Sequence, residues 1–275
     1  MDRTPTTRRY AERALGLFAV ELGAHAHDIT VVGGLNPDHL TRATSAPHQG
    51  TTDVDVLVEV GFVYDRDDLD LSWLEIALRA AGFTTRGDET WRWWIDVDGV
   101  PVKLELLCDT PDSPSQQIVL PGCASATAMN VRGPRPALYD TTVRAVTLSE
   151  DPHLARTAQV RFAGLGGYLL AKAAAVIQRG LRKDFYDFAF VLLHNLEGDA
   201  AAAGRAARRA VPSTGLDDYG AVFLAALDLY ADPSGDGPTT YAEQRTLDGD
   251  DTDPDVLRED AVSAAHEAHR GFGEG

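Results

Sequence analysis

The stretch Thr51-Thr52-Asp53-Val54-Asp55-Val56-Leu57-Val58, preceded upstream by Val31-Val32-Gly33-Gly34, decides how this chain is read. On a strand, side chains alternate between faces. Asp53 and Asp55 then share one face, about 7 Å apart along the strand. Val54, Val56, Val58 and Val60 take the other face, which is apolar enough to be buried. Two adjacent carboxylates at a strand end repel each other and lose hydration, and a hard divalent cation such as Mg²⁺ removes both penalties. The Gly33-Gly34 turn lets backbone N–H groups approach a phosphate. Paired glycines in a turn are by themselves an ordinary feature; their weight comes from ending an apolar strand upstream of the acidic one. The combination points to metal-assisted chemistry on a phosphorylated substrate.

A third carboxylate is expected from a neighbouring strand, Val102-Lys103-Leu104-Glu105-Leu106-Leu107, where Lys103 and Glu105 share one face. Paired beside residues 52–60, this strand would let Glu105 complete an acidic cluster able to hold two metals for an in-line displacement. The competing reading is a solvated strand face on which Glu105 partners Lys103. Asp96 and Asp98 are rival third acids, but their turn-like setting suits solvation. Trp91, Trp93 and Trp94 could stack on a base, although alternation puts Trp91 and Trp93 on one face and favours core packing for them. His25, His27, His39 and His48 show no metal-ligand spacing and read as surface or structural residues. Ser45 and Ser125 lack the neighbours of a catalytic triad.

Composition narrows the class. With 275 residues and 44% hydrophobic content, the chain can bury a sizeable core as one large or two small domains. A formal net charge of −17 argues against a generic nucleic-acid coat, while leaving room for a local basic groove. Cys108 and Cys123 form no zinc spacing or disulfide framework, and reduced thiols in a cytoplasmic protein are the simplest account. The polar N-terminal stretch leads into no apolar run of signal-peptide type, and no run is long enough to span a bilayer, so no membrane partner is expected.

Periodicity organises the rest. Residues 5–27 read as an amphipathic helix, 29–32 as a short buried strand, 35–50 as loop and 52–60 as the acidic strand. A helix over 69–81 ends at Gly82. Trp91–Val97, an Asp98-Gly99 turn and Val102–Leu107 read as a hairpin. The alternation predicts an α/β (α+β) core with a mixed sheet over residues 1–150. A helical region over 151–230 follows, with a long helical pattern over 167–194 that could break near Gly180, and further helices over 200–210 and 216–230. Residues 231–275 read as an acidic, partly flexible tail, flexible to about 254 and ending in a helix over 255–270.

The helical region holds a second polar set: Lys172, Arg179, Arg182, Lys183, Asp184 and Asp187. On one continuous helix, Lys172, Arg179 and Lys183 fall within roughly 20° of one direction. Such a stripe is either a solvated face laced with ion pairs such as Lys183–Asp187 or a holder for triphosphate oxygens.

Val31-Val32-Gly33-Gly34 followed by Thr51-Thr52-Asp53-Val54-Asp55 resembles the signature of the DNA polymerase β-like nucleotidyltransferases. The segment from Leu169 through Lys172, Arg179 and Lys183 to Asp184-Phe185-Tyr186-Asp187-Phe188 resembles the downstream motif of their AbiEii-type toxin branch, which includes the MenT toxins. The matching motifs span roughly residues 29–190. This resemblance implies a polymerase β-like core and a Mg²⁺- or Mn²⁺-dependent transfer of NMP from an NTP to an acceptor. It implies that Asp53 and Asp55 hold the metal, with Glu105 inferred as third ligand. Gly33, Gly34 and Thr51 would lie against the nucleotide, and Lys172 would bind its phosphates beside Arg179 and Lys183, with Asp184 or Asp187 as the acid of the last motif. The acceptor would be a tRNA 3′ end, in a toxin paired with an antitoxin protein. A small cationic acceptor of aminoglycoside type, or a non-catalytic nucleotide-binding or interaction module of the same fold, are the alternatives. Two departures stand out: the branch usually carries Arg two residues before the Thr, where this chain has Gln49, so either Arg42 or His48 substitutes or triphosphate binding is weaker, and the loop from Gly34 to Asp53 is long for one that covers the nucleotide.

Overall fold

The computed structural model describes residues 4–148, 156–213 and 218–274. It divides into two compact units, Met1–Leu35 with Gly50–Ala163, and Asn36–Gln49 with Gly164–Gly275.

The first unit is built on a mixed sheet. Its strands are β1 (Ile29–Val32), β2 (Asp53–Val58), β3 (Thr84–Thr85), β4 (Arg92–Val97), β5 (Val100–Cys108), β6 (Gln117–Val119), β7 (Thr127–Asn130), β8 (Thr141–Thr147) and β9 (Thr157–Ala163). The order is β3-β4-β5-β2-β1-β9-β8, with β7 joined to β5 and β6. β1 runs antiparallel to β2, and β2 runs parallel to β5. Alternation in β2 comes out as its sequence requires: Val54, Val56 and Val58 are buried, while Asp53 and Asp55 are only partly covered. Each such valine contributes about 1.5–3 kcal/mol on burial, which pins the register, because a one-residue slip would bury the acids instead. The β4–β5 hairpin turns at Asp98-Gly99 with positive φ at both residues, 54° and 82°, the two-residue turn that Asp-Gly favours.

Helix α1 (Pro5–Leu22) starts on a capping box between Thr4 and Thr7. It lays Ala11, Ala14, Leu15, Phe18 and Leu22 into the core shared with the β2 valines, Leu104 and Leu106. Beyond Leu22 the predicted helix tightens into a 3₁₀ turn, Gly23–His27.

The second unit is helical: α2 (Pro37–Leu40), α4 (Leu165–Arg179), α5 (Arg182–His194), α6 (Ala200–Ala210), α7 (Tyr219–Asp228), α8 (Asp236–Leu247) and α9 (Pro254–Glu274); α3 (Ser72–Ala80) belongs to the first unit. No helix of the described residues is long and apolar enough to cross a membrane.

Two sequence expectations are corrected here, and two others fall at positions outside the described residues. The predicted loop over 35–50 carries α2, and its residues 36–49 belong to the helical unit, tied there by Leu196 N–H to Leu40 O and Arg42 N–H to His194 O, both 2.8 Å. The expected domain boundary at residue 150 lies outside the described residues; the sheet unit continues through β9 to Ala163. The predicted start of the 216–230 helix also lies outside them, and α7 is described from Tyr219. The acidic stretch after 230, expected to be flexible, instead contains α8, whose Thr240, Tyr241, Ala242 and Arg245 are buried. Few apolar residues mark that helix, because a buried arginine and a threonine stand where hydrophobes would signal it.

Candidate functional site

The acidic face of the first unit is built by register. Asp53 stands opposite Lys103 and Asp55 opposite Glu105 across the parallel β2–β5 pair. Trp94 and Arg92 of β4 stand opposite Lys103 and Glu105 in turn. Residues in register point to the same side of a sheet, so Asp53, Lys103 and Trp94 form one row and Asp55, Glu105 and Arg92 the next. Lys103 Nζ lies 3.1 Å from Asp53 Oδ2 and 2.7 Å from Glu105 Oε1, and Arg92 Nε donates to the same Glu105 oxygen at 2.9 Å. Burial works against the Lys103 ammonium, but the two carboxylates outweigh it and hold its pKa above the ordinary lysine value. Thr52 Oγ1 donates to Asp53 Oδ1, and Asp53 N–H donates to Thr51 Oγ1 at 3.3 Å.

The glycine turn closes against this face. Val32, the last residue of β1, pairs with Asp55, and the chain then turns at Gly33 with φ +74°. A Cβ on Gly33 would overlap the Asp55 carboxylate, its Cγ lying 2.9 Å away, and one on Gly34 would lie 2.5 Å from Thr51 Cβ. Both glycines are therefore required by close approach, and Gly33 also by its left-handed backbone. The two sequence motifs, far apart in the chain, meet at Asp55 and Thr51.

The donor set suits a hard cation. Asp53 and Asp55 are oxygen donors on one face, and nothing beyond a hydrogen projects from Gly33 beside Asp55. Glu105 stands in register with Asp55, yet its Oε1 is engaged by Lys103 and Arg92. Among the described residues no group of three or more His, Cys, Asp or Glu side chains gathers into a metal-holding cluster.

The second unit holds the other predicted set, in an arrangement unlike the expected stripe. Gly180 ends α4 with a left-handed φ of 58°, so Lys172 and Lys183 lie on different helices and the continuous-helix projection fails. Lys172 is buried, donating to Asp187 Oδ2 at 2.8 Å and Asp184 Oδ1 at 3.2 Å. Arg179 reaches the same Asp184 oxygen at 2.9 Å. His48 Nε2, in the segment expected to be loop, lies 2.8 Å from Asp187 Oδ1, with its ring stacked on Tyr186. Lys183 is exposed. The predicted Lys183–Asp187 pair gives way to Lys172–Asp187, because the turn at Gly180 brings α5 back onto α4.

The sequence reading named His48 but not its pairing with Asp187, and it missed the bridging position of Lys103 and the Arg245–Asp250 ion pair, which is buried in the second unit. A lone histidine in a polar stretch carries no periodic signal. Lys103 was legible only as a partner for Glu105, because its pairing with Asp53 depends on strand register. Arg42, considered as a substitute for the missing arginine, instead donates to Gly198 O.

No family model matches the chain, and no curated protein matches it. The chain is similar to the crystal structure of JHP933 from Helicobacter pylori, at 12% identity over 99% of this chain and 96% of that one, with a TM-score of 0.48.

Proposed function

We propose that this protein is a Mg²⁺- or Mn²⁺-dependent nucleotidyltransferase that moves NMP from an NTP to an acceptor hydroxyl and releases pyrophosphate. The observation that carries the reading is the meeting of the Gly33-Gly34 turn with Asp55 and Thr51, beside a second strand acid. Backbone N–H groups at such a turn suit phosphate oxygens, and two carboxylates on the adjoining strand suit a hard cation. The metal, when bound, neutralises charge on the α-phosphate and on the departing pyrophosphate. In the transfer, the acceptor oxygen attacks the α-phosphorus and the bond from that phosphorus to the β-phosphate oxygen breaks. Asp53 and Asp55 would hold and orient the metal, and Glu105 accepts the hydroxyl proton. The chemistry is positioning and electrostatics without a covalent enzyme intermediate.

The acceptor proposed is a tRNA 3′ end, in a toxin held by an antitoxin protein, on the strength of the motif resemblance. The formal net charge of −17 favours a second reading, a cationic small molecule of aminoglycoside type. Incubation with each α-labelled NTP, first with total tRNA and then with candidate aminoglycosides, separates the two. Label in tRNA supports the first reading, and label only in the small molecule supports the second. No label with any acceptor, together with no NTP binding, would leave a non-catalytic module and overturn the transferase reading.

A further inference from the structure

The row of side chains running from Asp53 continues past Lys103 to Trp94, and the glycine turn lies on the opposite side of β2. In the sheet order β4-β5-β2-β1, Gly33 and Gly34 follow β1 on one flank of the acidic strand, and β4 occupies the other flank. Phosphates gathered at the glycine turn would leave the β5–β4 flank to the second substrate. Trp94 stands two strand spacings from Asp53, about 10 Å, which is a reach of one or two nucleotides. It is partly exposed, unlike Trp93, which points into the core. The exposed Arg86 lays its guanidinium over the Trp94 ring, 4.3 Å from the centroid. A guanidinium stacked on an indole is a flat, cationic surface of the kind on which unpaired bases stack.

We propose that Arg86 and Trp94 form a stacking platform for the terminal base of a single-stranded RNA acceptor. This proposal rests on the transferase reading and adds which residues recognise the acceptor. Around the platform, Arg92 and Lys103 are balanced by Glu89, Glu105 and Asp53. The surface is thus suited to grip one base by its face rather than to track a long phosphate backbone. That makes an RNA end compatible with an acidic protein.

The test compares wild type with Trp94→Ala, Trp94→Phe and Arg86→Ala, each checked for an unchanged melting temperature. Two quantities are read: the KM values for acceptor RNA and for NTP, and the binding of a short 5′-fluorescein-labelled single-stranded RNA followed by anisotropy. Trp94→Ala and Arg86→Ala should weaken RNA binding and raise the RNA KM by roughly fivefold or more, with NTP KM unchanged. Trp94→Phe, which keeps a stacking ring, should recover most of the loss. Unchanged RNA binding in Trp94→Ala would overturn the proposal, as would a rise confined to the NTP KM or failure of the wild type to bind the RNA. Should the wild type bind RNA through Trp94 yet transfer no label, the platform would stand and the transferase reading would fall. Transfer to a small molecule without RNA binding would do the reverse.

Discussion

Gly33 is the residue on which both motifs converge, and its replacement is the sharpest local test of the site's geometry. Its φ of +74° and the nearness of Asp55 leave no room for a side chain. Gly33→Ala should destabilise the protein by about 2 kcal/mol, from the left-handed backbone alone, and should also displace Asp55; a thermal melt alongside an activity assay reads both. Glu75 gives a second prediction at this scale. Burial raises its pKa, but hydrogen bonds from Ser125 N–H, Arg79, Ala126 N–H and the Ser125 hydroxyl outweigh that and hold it at about 2, below the ordinary 4.5. A depressed carboxyl stabilises the fold above its unfolded pKa and loses that contribution as pH falls through the folded value. Glu75→Gln should therefore cost on the order of 2 kcal/mol at neutral pH and progressively less from about pH 4.5 down to 2, as measured by urea melts across pH.

Among the elements, what was legible followed local pattern. β2 was readable because valine and aspartate alternate, and β4–β5 because Asp98-Gly99 is a two-residue turn. The facing of Asp53 and Asp55 followed from the same alternation. The inward turn of Lys172 was not readable, because it depends on Gly180 parting α4 from α5, and projecting one continuous helix gave a different stripe. His48 and the 36–49 segment were hidden for a related reason: their partners, Asp187, His194 and Leu196, are distant in sequence. This network carries its own prediction. Lys172→Ala would leave Asp184 and Asp187 buried with less compensating charge, at a cost of about 3–5 kcal/mol. Adding Asp187→Asn should recover part of that loss, since it removes one of the stranded charges; a double variant whose loss is the full sum of the Lys172→Ala and Asp187→Asn losses, in chemical denaturation, would show that the two side chains are not coupled.

Taken as a whole molecule, the chain carries a formal net charge of −17 and a sequence pI near 4.7. Excess like charge opposes compactness, and salt screens it. A tenfold rise in ionic strength should therefore raise Tm at pH 7, and the gain should shrink as the pH approaches the pI. The same charge places a demand on the proposed function: for an acidic protein to transfer NMP, positive charge must be concentrated where phosphate sits. The central claim is that Asp53 and Asp55 are that place. The most direct measurement is transfer of α-labelled nucleotide, with matching pyrophosphate release, by wild type and by Asp53→Asn and Asp55→Asn proteins of unchanged circular dichroism, each with Mg²⁺ and with EDTA. The account predicts transfer only by the wild type with Mg²⁺, and a fall of about 100-fold or more in either variant. Transfer that persists in EDTA, or variants within a few-fold of wild type, would contradict it.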